Sequence, residues 1–501
     1  MEHKDQILDH DGVSSALSEH EVRCEKVKNM QAAGIDPWPS YKKVSTTLLS
    51  AKEDFEKNPE HVQEQAFAGR IVAMRDHGKS FFGHIQDRSG KVQFYLKKDE
   101  VGESVFDFVK QYIDLGDIVW IKGSLFKTKT GEITIKVQAF ELLSKCLHPL
   151  PEKFHGLTDI EQRYRQRYLD LMSNPESREK FQCRSRVIQS IRNFLLDRDF
   201  MEVETPMLHT LAGGAIARPF VTHHNAYDID LFLRIAPELH LKQLVIGGFE
   251  RVFEINRCFR NEGVSTRHNP EFTTIELYMA HGDYETGMEL TEQLLQSVVL
   301  QNFPSTTINF QGKEINFAAP FKRLTLEDSL IEIGGLKANE ITPDAIDETI
   351  KKYNVQTPPG AGHGMKLFVL FEALVEGAIV QPTFIIGHPI EVSPLAKRDT
   401  KNPEVTARAE LFINGMEFAN LYTELNDPID QAERFRNQSL AKAAGDEEAH
   451  VFDREFVQAL EYGLPPTIGC GIGIDRLVML LTNTTTIKDV ILFPTLKPLK
   501  E

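Results

Sequence analysis

The chain has 501 residues, 41% hydrophobic and 26% charged, the balance of a globular protein too long for a single core and divided into two or three domains. A net charge of −16 weighs against a uniformly nucleic-acid-coating protein, because phosphate binding is driven by Lys and Arg. Residues 1–145 carry 21 Lys and Arg against 23 Asp and Glu, so nearly all the excess acid lies beyond them, and a local basic face in the N-terminal part stays compatible with RNA.

Residues 1–64 read as a polar N-terminal helical extension, with a helix near 18–33 and a proline-bounded turn at Asp36–Pro39. The opening MEHKDQILDHDG lacks the apolar centre of a secretory signal. From 65 to 145 the pattern changes to short alternating runs separated by glycine turns, with a helical stretch at 104–112 between the third and fourth. That is the pattern of a five-stranded OB-fold barrel, whose aromatic residues stack single-stranded bases. Phe82 with Arg75, Lys79, Gln93 and Glu132 forms the candidate face; taken alone, Phe82 reads as a core ring and Glu132 as a turn residue.

Residues 146–160, with Pro149 and Pro151, read as a linker. A domain over 161–501 follows: charged helices at 159–172 and 177–198, strand-rich segments at 200–280, a helical insertion near 283–380, then strands from Thr383. Strands interrupted by helices without βαβ alternation predict an antiparallel sheet flanked by helices, so the fold class is α+β. No apolar run can span a bilayer, since even residues 367–380 contain Glu372 and Glu376. Five scattered cysteines without a CxxC pair argue against disulfides and structural zinc and favour a reducing cytoplasm.

The densest chemistry lies in FRNEGVSTRHNPEFTTIE (259–276), where a strand-like run from Arg251 meets a polar turn and a second run from Glu271. It gathers forked cations for phosphate oxygens (Arg260, Arg267), His268, an aromatic face (Phe272) and the carboxylates Glu262 and Glu276. Far downstream, GCGIGIDR (469–476) alternates glycine with apolar residues before Arg476. These two segments resemble motifs 2 and 3 of class II aminoacyl-tRNA synthetases, and FMEVETPML (200–208), with Pro206, resembles motif 1. Within the class the chain resembles bacterial-type lysyl-tRNA synthetases from about Ala66 to Pro498, through KFHGLTDIEQRYRQRYLDL (153–171), GGAIARPF (213–220), RIAPELHLKQL (234–244) and TELNDP (423–428).

The resemblance implies a homodimeric cytoplasmic lysine–tRNA ligase that joins L-lysine to ATP, releases pyrophosphate, and passes the lysyl group to the 3′ end of tRNA(Lys). It implies that Arg260 bridges the α-phosphate and the amino-acid carboxylate, while Arg476 holds the γ-phosphate and stacks on adenine opposite Phe272. His268 would meet the γ-phosphate, and Glu262 and Asn269 would position the nucleotide. Glu410 and Glu417 match the family's Mg²⁺ pair; their seven-residue spacing around Gly415 fits a hairpin but by itself fits exposed glutamates equally well. For lysine, the matching positions are Gly214, Glu238, Arg260, Glu276, Tyr278, Asn420, Tyr422 and Glu424. Glu424 and Tyr278 would take the ε-ammonium, and Glu238 with the Gly214 backbone the α-ammonium, since a buried ammonium needs a countercharge. Arg75, Phe82, Gln93 and Glu132 match anticodon-reading positions.

Ala419 and Leu421 depart from the family, which commonly places glycine or a smaller residue there; Leu421 either narrows the pocket or faces away. An aspartate or asparagine ligase would need added positive charge at the side-chain end, and the acid-rich pocket argues against it. A truncated paralogue acting on a translation factor would lack the barrel. A silent RNA-binding relative would have lost Arg260, Arg476, Glu410 or Glu417. Gly469, Gly471 and Gly473 do not make a dinucleotide fingerprint, because Ile474 stands where the third glycine belongs.

Overall fold

The computed structural model describes residues 17–61, 63–151, 157–215, 217–358, 360–443 and 451–499, and divides at Leu157 into two compact units. The start of the extension, part of the linker and the first residues of the 153–171 run lie outside the described residues.

The first unit contains a closed five-stranded barrel: β1 (Gln65–Asp76), β2 (Ser80–Gln86), β3 (Lys91–Lys97), β4 (Ile118–Lys127) and β5 (Ile133–Ser144), in the order β1-β2-β3-β5-β4. Strict alternation builds it. Phe81 and Ile85 of β2 and Val92, Phe94 and Leu96 of β3 point inward and are at most 3% exposed. Gly83 shares that inner face because a β-carbon there would stand 2.4 Å from the Phe94 ring. The helix Glu103–Tyr112 joins β3 to β4, and the helices Glu19–Ala32 and Leu48–Lys57 precede the barrel; Ser18 closes a capping box on the first of them.

The second unit is built on an eight-stranded sheet. Its strands are β6 (Met201–Glu202), β7 (Arg251–Phe259), β8 (Glu271–Ala280), β9 (Lys322–Thr325), β10 (Thr383–Ile386), β11 (Arg408–Ile413), β12 (Met416–Thr423) and β13 (Thr467–Gly473), in the order β9-β10-β11-β12-β13-β8-β7-β6. The centre is antiparallel, as expected, but both edges are parallel: β9 on β10, and β6 on β7. The sheet is therefore mixed. The short β6 makes only two pairs, Met201 with Val252 and Glu202 with Phe253, because the chain turns away before Pro206.

One face of the sheet packs on the helices Pro175–Leu196, Tyr284–Asn302 and Ile474–Leu481, through Val187, Ile191, Leu294, Leu295, Val298, Leu477 and Val478, all at 0% exposure. The segment 283–380 is not purely helical. It includes a hairpin (Thr307–Phe310 with Lys313–Asn316) and the edge strand β9, and the helices that follow close a small core of their own around Leu330, Leu370 and Phe371.

Candidate active site

The strands β7 and β8 run in full antiparallel register from Arg251↔Met279 to Phe259↔Glu271, and the loop between them is closed where the Arg260 N–H donates to the Pro270 carbonyl at 2.8 Å. Beside them lies β13, whose side chains alternate by design of the sequence. Ile468, Cys470 and Ile472 enter the core at no more than 2% exposure, and Gly469, Gly471 and Gly473 turn toward a cavity of about 410 Å³. At Gly469 the bare face is required by its neighbours: a β-carbon there would stand 1.9 Å from Glu424 Oε1 and 2.7 Å from the Tyr278 ring. At its end β13 runs straight into the helix Ile474–Leu481, which presents Arg476 from its first turn.

One end of the cavity is cationic. The Arg260 guanidinium carbon lies 5.1 Å from the centre of the Phe272 ring, a cation–π contact, and its buried Nε has no hydrogen-bond partner. Arg476 donates through Nη1 to the Glu417 carbonyl at 2.7 Å, and its Nη2 lies 3.3 Å from His268 Nε2. Since arginine only donates, that nitrogen of His268 accepts, and Nδ1 carries the proton toward Ser265 Oγ 3.0 Å away. Burial and the Arg476 charge hold His268 below the usual histidine range, in keeping with a neutral ring. Asn269 donates to the Glu271 carbonyl at 2.7 Å and leaves its buried Oδ1 unpaired. Glu262 and Arg267 also line this end, and Arg267 donates to the Gly415 carbonyl at 2.9 Å.

The other end is acidic. Glu238 opens the helix Glu238–Ile246, beside Gly214, whose φ of +88° disfavours any side chain and whose β-carbon would stand a tight 3.3 Å from that of Glu238. Glu238 Oε1 accepts from Tyr422 Oη at 2.7 Å, and Tyr278 Oη donates to Glu276 Oε2 at 3.0 Å. Burial, and then the Glu238 charge, push the Glu276 carboxyl up to about 8. The hydroxyls of Tyr278 and Tyr422 are held well above their usual value by burial and the surrounding carboxylates. Asn420 and Tyr422 of β12 face the cavity; Ala419 and Leu421, between and beside them, point into the core at 1% and 0% exposure. Leu421 thus faces away and does not narrow the pocket.

Of the expected lysine-pocket residues, Glu424 alone is not on the cavity wall. It sits just past the end of β12, fully buried, with Oε1 on the side of Gly469 where a β-carbon would stand. Glu410 and Glu417 do come together at the cavity: β11 and β12 pair Glu410 with Asn420 and Phe412 with Glu417, and a bulge after Leu411 shifts the register between them. Glu410 is ion-paired with Arg408, which also donates to the Asn420 side chain at 3.1 Å, and Glu417 Oε2 lies 3.4 Å from Arg476 Nη1. Among the described residues no group of three or more His, Cys, Asp and Glu forms a ready metal cage. Two carboxylates beside an arginine-lined cavity suit Mg²⁺, which is commonly held by one or two carboxylates together with substrate phosphates and waters.

Reading the sequence left out several supporting residues. Arg408 orients both Asn420 and Glu410, Glu376 is raised by burial and by the Glu417 charge, and Lys242 lies buried against Glu238 and Glu424. A lysine four residues after Glu238 was the one available signal for the last of these.

In the barrel, Phe82 is not core. It points outward and half-buried, its ring centre 4.5 Å from that of Tyr95 with the planes tilted by 34°, and Tyr95 in turn meets Phe126 at 6.3 Å. Arg75 pairs with Phe82 across β1 and β2, and Gln93 donates to Glu132 at 2.9 Å, so the four expected residues share one outer face with Tyr95, Phe126 and His84. Tyr95 was legible as the outward neighbour of Phe94 in an alternating strand.

A mixed sheet with an antiparallel centre, a glycine-faced strand leading to an arginine, and a hairpin carrying a second arginine define a class II tRNA synthetase. Residues 159–497 match the family model of class II tRNA synthetases (D, K and N), and residues 66–143 match that of the OB-fold nucleic acid binding domain. Among curated proteins the chain is 52% identical to a lysine–tRNA ligase of Thermoanaerobacter pseudethanolicus over 95% of both chains. It is 50% identical to that of Carboxydothermus hydrogenoformans and 51% identical to that of Staphylococcus haemolyticus, over 95% of this chain and 97% of each relative. The chain belongs to the lysine–tRNA ligase family of class II synthetases.

Proposed function

We propose that the protein activates L-lysine with ATP, forming lysyl-adenylate and pyrophosphate, and then transfers the lysyl group to the 3′ end of tRNA(Lys). The observation that carries this reading is the polarity of one cavity: arginines at one end, among them Arg260 with an unpaired buried Nε, and carboxylates with tyrosine hydroxyls at the other. The lysine carboxylate attacks the α-phosphorus, and the bond to pyrophosphate breaks as the new one forms. Little covalent work falls to the protein, which aligns the reactants and spreads the charge. Arg260 binds both the attacking carboxylate and the α-phosphate. Arg476 stacks on adenine opposite Phe272, and together with neutral His268 receives the γ-phosphate. Asn269 Oδ1 and Glu262 orient the nucleotide.

Glu238, with the Gly214 backbone, takes the α-ammonium, and Glu276, Tyr278, Asn420, Tyr422 and Glu424 form the side-chain end. Glu410 and Glu417 would hold Mg²⁺ on the phosphates, where the ion offsets the charge of the departing pyrophosphate. Arg75, Phe82, Gln93 and Glu132 read the anticodon, with the Phe82–Tyr95 pair offering a stacking surface. Exposed apolar side chains at Met201, Met207, Leu208, Val221 and Ile229, each 41–60% exposed, support a homodimer formed through this region. No helix among the described residues is long and apolar enough to cross a membrane, and the five free cysteines suit a cytoplasmic enzyme.

Amino-acid-dependent ATP–pyrophosphate exchange with lysine, aspartate and asparagine offered separately tests the reading. Exchange with lysine alone supports it, exchange with another amino acid overturns the pocket assignment, and no exchange with any overturns the activity.

A further inference from the structure

Behind the acidic end of the cavity lies a cation that the reaction as described does not use. Lys242 is one turn along the helix from Glu238 and completely buried. Its Nζ lies 2.6 Å from Glu238 Oε1 and 2.5 Å from Glu424 Oε2, and the Tyr422 and Phe456 rings flank it, each with its centre 5.7 Å away. Burial opposes the cation, but the two carboxylates outweigh it and hold the lysine charged. Glu238 directs Oε1 to both Lys242 and Tyr422. Glu424 meets Lys242 off hydrogen-bonding geometry, and its Oε1, wholly buried, accepts no hydrogen bond. A buried carboxylate oxygen without a donor is costly and is kept where something else supplies the donor.

We infer that Lys242 is a positioning residue that sets amino-acid selectivity: it ties Glu238 and Glu424 together from behind, fixes the separation of the two carboxylates, and trims the pocket's charge to match lysine. The charges balance once lysine is bound: with all three carboxylates ionised by the arriving ammonium, Glu238, Glu276 and Glu424 face Lys242 and Arg260, which leaves one negative charge for a substrate that carries one net positive charge. Without Lys242 the pocket would hold two uncompensated charges in a buried site, and buried carboxylates in that position take up protons and lose their grip on an ammonium. This inference rests on the lysine-pocket reading above.

The test is pyrophosphate exchange, titrating lysine at saturating ATP and ATP at saturating lysine, for the full-length Lys242→Met, Lys242→Arg and Glu238→Gln proteins. For Lys242→Met the expected result is a lysine KM raised on the order of tenfold or more with the ATP KM unchanged, a ground-state effect confined to one substrate. A wild-type lysine KM, or equal increases in both KM values, overturns the inference. Should Lys242→Met fail to fold, Lys242→Arg decides: its forked cation keeps the charge but displaces Glu424, so the lysine KM rises several-fold, and an unchanged value overturns the inference. Glu238→Gln separates the two levels, because a normal lysine KM in that variant would remove the pocket reading itself.

Discussion

Asp475 accepts the backbone N–H of Thr273 through Oδ2 at 2.7 Å, and its other oxygen is ion-paired with Arg184. Arg184 closes the triangle by donating to Thr273 Oγ1 at 2.9 Å. Phe272 and Arg476 are the immediate chain neighbours of the two residues joined, so one buried carboxylate fixes the separation of the two groups assigned to the faces of adenine. Asp475→Asn should leave Arg184 without its charge partner inside the protein, at a cost of about 3–5 kcal/mol. The expected outcome is a melting temperature several degrees lower together with a raised ATP KM; an unchanged melting curve by calorimetry would contradict it.

Arg260→Ala removes the donors assigned to the transition state. Exchange should fall by about 10²–10³ or more in kcat/KM, the scale seen when one preorganised donor is lost. Circular dichroism and tRNA binding should stay close to wild type. Normal lysine activation by this variant would displace Arg260 from the centre of the site.

The acidic end makes a pH prediction. Glu276 has a folded-state value of about 8 against an ordinary 4.5, so the empty folded pocket binds a proton more tightly than the unfolded chain does. Its contribution to stability is fully present below 4.5 and is lost as pH rises through 8. An arriving ammonium favours the ionised carboxylate, so lysine binding at pH 7 should release about one proton. Calorimetric titrations in buffers of different ionisation enthalpy would count it. Glu276→Gln should reduce the release and lessen the alkaline loss of stability, any remainder coming from Glu424, which burial also raises.

Gly469→Ala tests the glycine floor. The added methyl group would collide with Glu424 Oε1 and the Tyr278 ring, 1.9 and 2.7 Å from its ideal position, so the carboxylate must move. The lysine KM should rise by roughly tenfold or more while the ATP KM stays within about twofold, since the nucleotide end lies elsewhere on the strand. Equal losses for both substrates would mean that the strand as a whole had shifted.

In the barrel, Phe82→Ala should raise the tRNA KM in aminoacylation by about 5–150-fold, equivalent to the 1–3 kcal/mol of one stacked base. Pyrophosphate exchange should be unaffected. A normal tRNA KM would return Phe82 to a purely packing role.

What could be read from the chain alone follows the range of each signal. Strand limits such as Arg251–Phe259 were legible because alternation and turn residues are local. The outward side of Phe82 was not, since one aromatic in a strand fits either face until the register of its neighbours is known. The parallel edges were equally hidden, because the residues of β6 and β9 carry no mark of the direction of the strand beside them. The cavity residues on β8 and β12 emerged through motif resemblance. Asp475 did not, since its ion pair with Arg184 spans 291 residues, and Lys242 showed only its i,i+4 relation to Glu238, not its distant pair with Glu424.

The glycine strand constrains how such a pocket can change. A floor made of peptide backbone offers no side chain to exchange, and an addition at Gly469 forces Glu424 and the Tyr278 ring to shift. Drift toward a different amino acid is therefore expected to proceed from around Gly469: from Glu276 and Tyr278 on one strand, Asn420 and Tyr422 on the other, and Glu238 with Lys242 on the helix. The floor itself is closed at Gly469 and open at Gly471, where a β-carbon would meet nothing nearer than Glu276 Cγ at 3.7 Å.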